Sequence, residues 1–354
     1  MTFFYLDVLL YCLESGTNVK PTLSSAMDAN RPTLGTSTTP TSVGYAQLPE
    51  LPAPKPLGVE ARFFPGFTVH SVATSGAVIH VLRGGSGPPL LLLHGHPETH
   101  VMWHKIAGEL ARDYTVVLPD LRGYGDSSKP ASSPSHGPYS FRSMAQDQVE
   151  VMAHFGFDPL FLAGHDRGGR VAHRLCLDHP GAVRKVCVLD IAPTLTMYTD
   201  TSQEFATRYV WWFFQIQPSP VPENLIGFDP AYYLQHHLEV QNKTPGAIAP
   251  DALREYLRCY CCRATIHAVC EDYRAAARLD LDHDRTDDAA GRRVTAPLLA
   301  LWGARGTVAR LWNVLATWEA KAATVTGEAL DCGHFLPEEQ PEAVLVHFRA
   351  FFRD

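Results

Sequence analysis

Apolar runs unbroken by polar residues punctuate this chain: Leu90 to Leu93, Leu160 to Ala163, Val186 to Leu189 and Pro297 to Trp302. Runs this short and this continuous predict strands buried on both faces. Segments of helical periodicity lie between them, such as the one through Val171, Leu175 and Cys176. Strands alternating with helices predict an α/β fold, with a mostly parallel central sheet flanked by helices. Residues 196–275 depart from the pattern: they read as helical and carry Tyr209, Trp211, Trp212, Phe213, Phe214, Tyr232 and Tyr233. Such a segment suits an inserted cap that excludes water. The predicted organisation is a main domain of residues 59–195 and 276–354, interrupted by the cap. Leu253 to Ala268 reads as one cap helix.

Residues 1–58 differ in kind. Thr2 to Leu13 is apolar but lacks a basic lead and contains Asp7, a poor signal peptide. The rest of this stretch is rich in Ser, Thr, Pro and Gly, which predicts a disordered extension with Met27 as an alternative start.

Candidate chemistry begins at Gly164, His165, Asp166, Arg167, Gly168, Gly169 and Arg170, where a strand candidate meets a helical one. Glycines on either side permit the tight turn and close packing of a nucleophile elbow, with Asp166 at the reacting position. The alternative use of Asp166 is as a helix N-cap. A carboxylate attacking an acyl carbon would give a reactive anhydride; attack on a saturated carbon bearing a leaving group gives an ordinary ester. Carbon–halogen bonds and epoxides are the matching substrates. His94, Gly95, His96 and Pro97 follow a strand candidate, and Asp331 to Pro337 places His334 in a loop before the last helix. The loop after Trp302 holds no carboxylate, whereas Val186 to Leu189 runs into Asp190. The order nucleophile, acid, base therefore reads Asp166, Asp190, His334, with the amides of His96 and Arg167 as oxyanion donors.

On these motifs, together with Thr99 to His104, Asp120 to Ser127, Pro222 to Leu225 and Cys270 to Ala275, the chain resembles the haloacetate and fluoroacetate dehalogenases of the α/β-hydrolase superfamily over residues 63–353. The resemblance implies hydrolysis of a short 2-haloacid, haloacetate giving glycolate and halide, through an ester on Asp166. It implies that Arg167 and Arg170 hold the substrate carboxylate; the alternative is a pair of solvated helix-face charges. It implies that Trp212 and Tyr273 bind the halide, with Trp211 standing where fluoride-cleaving members have histidine and Gln241 where they have a further tryptophan. Chloroacetate and bromoacetate are the expected substrates, and Trp211 leaves fluoroacetate open. Trp211 and Trp212 also read as core aromatics of the cap. An epoxide hydrolase and a non-catalytic ligand receptor on the same scaffold are the other readings.

Composition sets limits on partners. With 30 basic against 37 acidic residues, the net charge of −7 speaks against a nucleic-acid surface and requires local arginines for an anionic substrate. No apolar run approaches the ~20 residues of a membrane span. Among the 8 cysteines, Cys259 and Cys262 form a Cys-x-x-Cys spacing without a redox strand context, which predicts buried free thiols in the cytoplasm. No metal or organic cofactor is expected. A homodimer is, by resemblance.

Overall fold

The computed structural model describes residues 58–353, so the extension read over residues 1–58 lies outside the described residues apart from Gly58. Eight strands form one sheet: β1 (Thr68–Ala73), β2 (Val78–Gly84), β3 (Pro89–Leu93), β4 (Thr115–Pro119), β5 (Leu160–His165), β6 (Val183–Leu189), β7 (Leu298–Gly303) and β8 (Val325–Leu330), in the order β1-β2-β4-β3-β5-β6-β7-β8. β1 pairs with β2, and β2 with β4, in antiparallel register; the other pairings are parallel.

The continuous apolar runs became the inner strands for the predicted reason. Leu90, Leu91, Leu92 and Leu93 are each 0% exposed, and burying each such side chain contributes roughly 1.5–3 kcal/mol. Helices α1 (Phe141–His154) and α2 (Arg167–Asp178) pack against one another, and α2 lies on β5. β1 and β8 show mixed exposure, as edge strands should.

The strand order also places the chemistry. β3 lies between β4 and β5, so its successors in the chain diverge to opposite sides, and the turn after β3 meets the turn after β5. Such a crevice at the carboxyl ends of parallel strands is where open α/β sheets bind ligands.

Between β6 and β7 the described chain runs through helices joined by loops, including α3 (Val210–Phe214), α4 (Pro230–Gln241), α5 (Pro250–Tyr260), α6 (Arg263–Ala275) and α7 (Leu281–Ala289). Two boundaries differ from those read in the sequence. The single helix expected over Leu253 to Ala268 is broken: Cys261 closes α5 and Cys262 turns extended before α6 starts. At the other end, α6 continues through a π-helical turn at Ala276–Asp280 into α7, so a boundary at 275 falls inside one helical run. Asp280 accepts the Phe141 amide at 3.1 Å and ties this run to the start of α1.

No described helix is long and apolar enough to cross a membrane. Cys259 and Cys262 are free thiols; Cys259 is buried as expected, whereas Cys262 is only half-buried. A final helix, α8 (Pro341–Phe351), follows the His334 loop, and its Phe351 carbonyl accepts from Lys185 of β6 at 2.8 Å.

Candidate active site

Asp166 joins β5 to α2 with φ 45° and ψ −115°, a conformation L residues rarely hold. Two glycines make the turn possible by proximity. A Cβ on Gly164 would lie 2.4 Å from the Gly168 carbonyl oxygen, and one on Gly168 would lie 2.4 Å from that of His94. The Asp166 side chain makes no capping bond to its own helix. Its Oδ1 instead accepts the amide of His96 at 3.0 Å, so the N-cap alternative fails. Of the two predicted oxyanion amides, His96 is thus already engaged with the carboxylate, while Arg167 opens α2 directly after it.

His334 and Asp190 meet as the chain order predicted. His334 Nδ1 lies 2.5 Å from Asp190 Oδ2, and its Nε2 faces Asp166 Oδ2 at 3.9 Å. Asp190 Oδ1 accepts the Gly303 amide at 2.9 Å, so the loop that lacks a carboxylate supplies the donor that orients one. The His334 loop is held on several sides. Its amide donates to the Gln241 carbonyl at 3.2 Å, its carbonyl lies 2.8 Å from His165 Nε2, and Glu339 accepts the amides of Gly333 and Phe335, each at 2.9 Å.

Electrostatics favour an ionised nucleophile. Burial alone would push the Asp166 carboxyl up, but His334, Arg170, His165 and Arg167 outweigh it and hold the group well below the usual carboxylate range. Burial pushes the His96 imidazole down to about 3, so that ring stays neutral beside it.

The two arginines are buried, unlike solvated helix-face charges. Arg167 is clamped by Asp272: its Nε donates to Oδ2 at 2.8 Å, its Nη2 to Oδ1 and, at 3.0 Å, to the backbone oxygen. Its guanidinium carbon lies 4.1 Å from the Tyr273 ring centre and 4.7 Å from that of Phe141, and Nη1 has no hydrogen-bond partner. Although burial opposes the charge, Asp272 holds the Arg167 guanidinium above its ordinary value. Arg170 bonds only neutral groups: Nη1 to the Ala192 carbonyl at 3.1 Å and to Thr194 Oγ1 at 3.0 Å, and Nη2 to Met197 Sδ at 3.1 Å. It sits 4.6 Å from the Trp212 ring, with Nε unpartnered.

Trp212 and Tyr273 come together at 6.2 Å, and the buried Trp212 Nε1 has no partner. The Trp211 ring lies 4.9 Å from that of Tyr209 and 4.3 Å from that of His237. His96 is ringed by His237 at 4.7 Å, Tyr273 at 5.6 Å and Tyr260 at 5.7 Å. Sequence reasoning missed Asp272 as the Arg167 counter-ion, although it lies inside a noted motif, and missed His237 and Tyr260. His237 sits in no motif and is one of 17 histidines.

Two groups among the described residues have metal-ligand spacing, Glu60 with His80 and His100, and Glu223 with His267 and Glu271. Neither contains a residue of this site, and Arg274 already neutralises the second.

A family model of the α/β-hydrolase fold matches residues 88–341. The chain is 41% identical to a fluoroacetate dehalogenase of Burkholderia sp over 292 residues, 82% of this chain and 95% of the relative. It is 32% identical to a soluble epoxide hydrolase of Corynebacterium sp. (strain C12), over 80% of this chain and 97% of that one. Among solved structures, one described as an α/β hydrolase from Nostoc sp PCC 7120 superposes with a TM-score of 0.80 at 55% identity, covering 82% of this chain and 98% of its own.

Proposed function

The chain belongs to the α/β-hydrolase fold family, and from that premise we propose that it is a haloacetate dehalogenase, hydrolysing short 2-haloacids to the 2-hydroxy acid and halide. The observation that carries this reading is the unpartnered, buried guanidinium N–H groups beside the nucleophile, Arg170 Nε and Arg167 Nη1. Two anions 4 Å apart repel by about 1 kcal/mol in water and by several times more in a dry site. A carboxylate substrate needs those guanidinium groups to approach Asp166, whereas a neutral epoxide does not.

In the first step Asp166 Oδ2 attacks the carbon next to the substrate carboxylate, the carbon–halogen bond breaks with its electrons on the halide, and an aspartyl ester forms. Arg170 and Arg167 hold the carboxylate so that this carbon faces Oδ2. Trp212 and Tyr273 donate to the departing halide, with Trp211 in the same wall, and helices 196–275 act as the lid that keeps water from the displacement.

In the second step His334, oriented by Asp190, takes a proton from a water molecule, and the resulting hydroxide adds to the ester carbonyl carbon of Asp166. Charge collects on Oδ1, the atom the His96 amide already meets at 3.0 Å, with the Arg167 amide as second donor. Collapse breaks the bond between the Asp166 carbonyl carbon and the substrate oxygen and releases glycolate, whose hydroxyl takes the proton held by His334; the carboxylic acid left on Asp166 then gives up its own proton and regains the carboxylate, so one proton is released with the halide.

Halide release from purified protein offered fluoroacetate, chloroacetate and bromoacetate, with an aryl epoxide as control, tests the reading. Chloride and bromide release is expected. Opening of the epoxide with no halide release would transfer the site to the epoxide-hydrolase reading that the 32% relative represents.

A further inference from the structure

Helix α4 brings to the site a residue that the reaction described above leaves unused. His237 is 4% exposed, and its Nδ1 has no hydrogen-bond partner. Its other ring nitrogen, Nε2, lies 2.7 Å from Gln241 Nε2, one helical turn along α4. An amide nitrogen only donates, so His237 Nε2 accepts, and a neutral imidazole then carries its proton on Nδ1. The result is a buried N–H with nothing to donate to. Native structures rarely keep such a group unless water, an ion or a ligand completes it.

The surroundings say which kind of ligand. The His237 ring stands edge-on to His96, 4.7 Å away at 80°, and the His96 amide holds Asp166 Oδ1. Trp211 covers it at 4.3 Å. Tyr260, 5.7 Å from the same His96 ring, and Trp212, 6.2 Å from the Tyr273 that also flanks His96, carry an Oη and an Nε1 that are buried without partners, as are both His96 ring nitrogens. A pocket of neutral donors around a nucleophile suits a small anion leaving the reaction, because the arginines serve the carboxylate. Burial keeps the His237 imidazole well below its ordinary value, the neighbouring His96 and His334 add to this, and Asp166 opposes it. The ring therefore does not form an ion pair with Asp166 and stays available as a neutral donor.

Its placement is rigid. The Gln241 that sets the His237 tautomer also accepts the His334 amide through its backbone oxygen at 3.2 Å. A Cβ on Gly333 would lie 2.2 Å from that oxygen, so α4 and the base loop are in close contact.

We propose that His237 Nδ1–H donates a hydrogen bond to the departing halide, with Gln241 as the positioning residue that keeps the proton on Nδ1. This assignment rests on the dehalogenation reading above. During displacement the halogen takes both electrons of the carbon–halogen bond, and fluoride, the most compact product ion, gains most from each added donor. His237 therefore sets how far the substrate range extends toward fluoroacetate.

The test has two arms. In the first, bromide is titrated at constant ionic strength and followed by tryptophan fluorescence, in wild type, His237→Ala and Gln241→Met. One hydrogen bond to an anion corresponds to about tenfold in affinity, so His237→Ala should bind bromide about tenfold more weakly, and Gln241→Met should fall between. In the second arm, single-turnover release from fluoroacetate is divided by that from bromoacetate. This ratio should fall about tenfold in His237→Ala and be partly restored in His237→Gln, which keeps an N–H donor. Wild type that binds bromide but turns over no haloacid would refute the dehalogenase reading while leaving the anion site standing. Unchanged bromide affinity in His237→Ala, or an equal loss on every substrate with a lowered melting temperature, would overturn the assignment. Should His237→Ala fail to fold, Gln241→Met carries the same comparison with the ring in place.

Discussion

Replacing Asp190 by asparagine changes one atom and, through it, the protonation of His334. The Asp190 side chain is 0% exposed, with Oδ2 2.5 Å from His334 Nδ1 and Oδ1 2.9 Å from the Gly303 amide nitrogen. An asparagine in this place is not free to choose its orientation. Turning its NH2 toward Gly303 sets two donors against each other in a dry site, at a cost of about 1–3 kcal/mol. That is a bias of roughly 10- to 100-fold toward the orientation in which the NH2 meets His334 Nδ1. The imidazole must then accept at Nδ1 and carry its proton on Nε2, the nitrogen facing Asp166 at 3.9 Å. It can no longer take a proton from water. Displacement of halide by Asp166 needs no base and should survive. The expected result is a loss of about 10³- to 10⁴-fold in steady-state turnover, the scale of the same exchange in a serine-protease triad. One equivalent of halide should still appear as a burst, with the ester trapped on Asp166. Rapid quench with halide detection and intact-protein mass spectrometry measures both. Linear release at the wild-type rate would refute the orienting role of Asp190, and loss of the burst would refute the division into two steps.

Three further outcomes follow from the buried charges. Arg170→Lys keeps the charge and loses the planar fork, so KM for chloroacetate should rise about tenfold with a smaller change in kcat; an unchanged KM in steady-state assays would move carboxylate binding elsewhere. Arg167→Met strands the buried Asp272 carboxylate and should destabilise the fold by about 3–5 kcal/mol in urea denaturation, whereas Arg167→Met with Asp272→Leu should recover most of this; no recovery would contradict the pairing. Glu223, where burial is outweighed by His267 and Arg274, titrates at about 2 instead of 4.5. Because the folded value is the lower one, its stabilisation is complete above pH 4.5 and fades as pH falls toward 2. Glu223→Gln should therefore cost about 1–3 kcal/mol at neutral pH, with the gap to wild type closing in acid; a gap that stays constant on acid titration would refute the coupling.

The chain by itself determined whatever depends on neighbours in sequence. The inner strands were legible because burial on both faces demands unbroken apolar runs, as at Leu90 to Leu93. The elbow was legible because its backbone approaches so closely that only glycine fits at 164 and 168, and those positions flank Asp166 directly. Asp190 and His334 were readable from their places at strand ends and in chain order. Tertiary structure decided which side chains from the helical insertion face that centre. Local pattern treats Asp272 as one polar position of α6, and only packing shows it clamping Arg167, 105 positions away in the chain. The break at Cys261 and Cys262 is likewise invisible to periodicity, since apolar and polar residues continue across it. His236 and His237 make the division plainest. They are adjacent and chemically identical on one helix, yet one is exposed to solvent and the other is buried against His96, because the angle at which α4 docks is set by its contacts with the rest of the fold and not by its own residues.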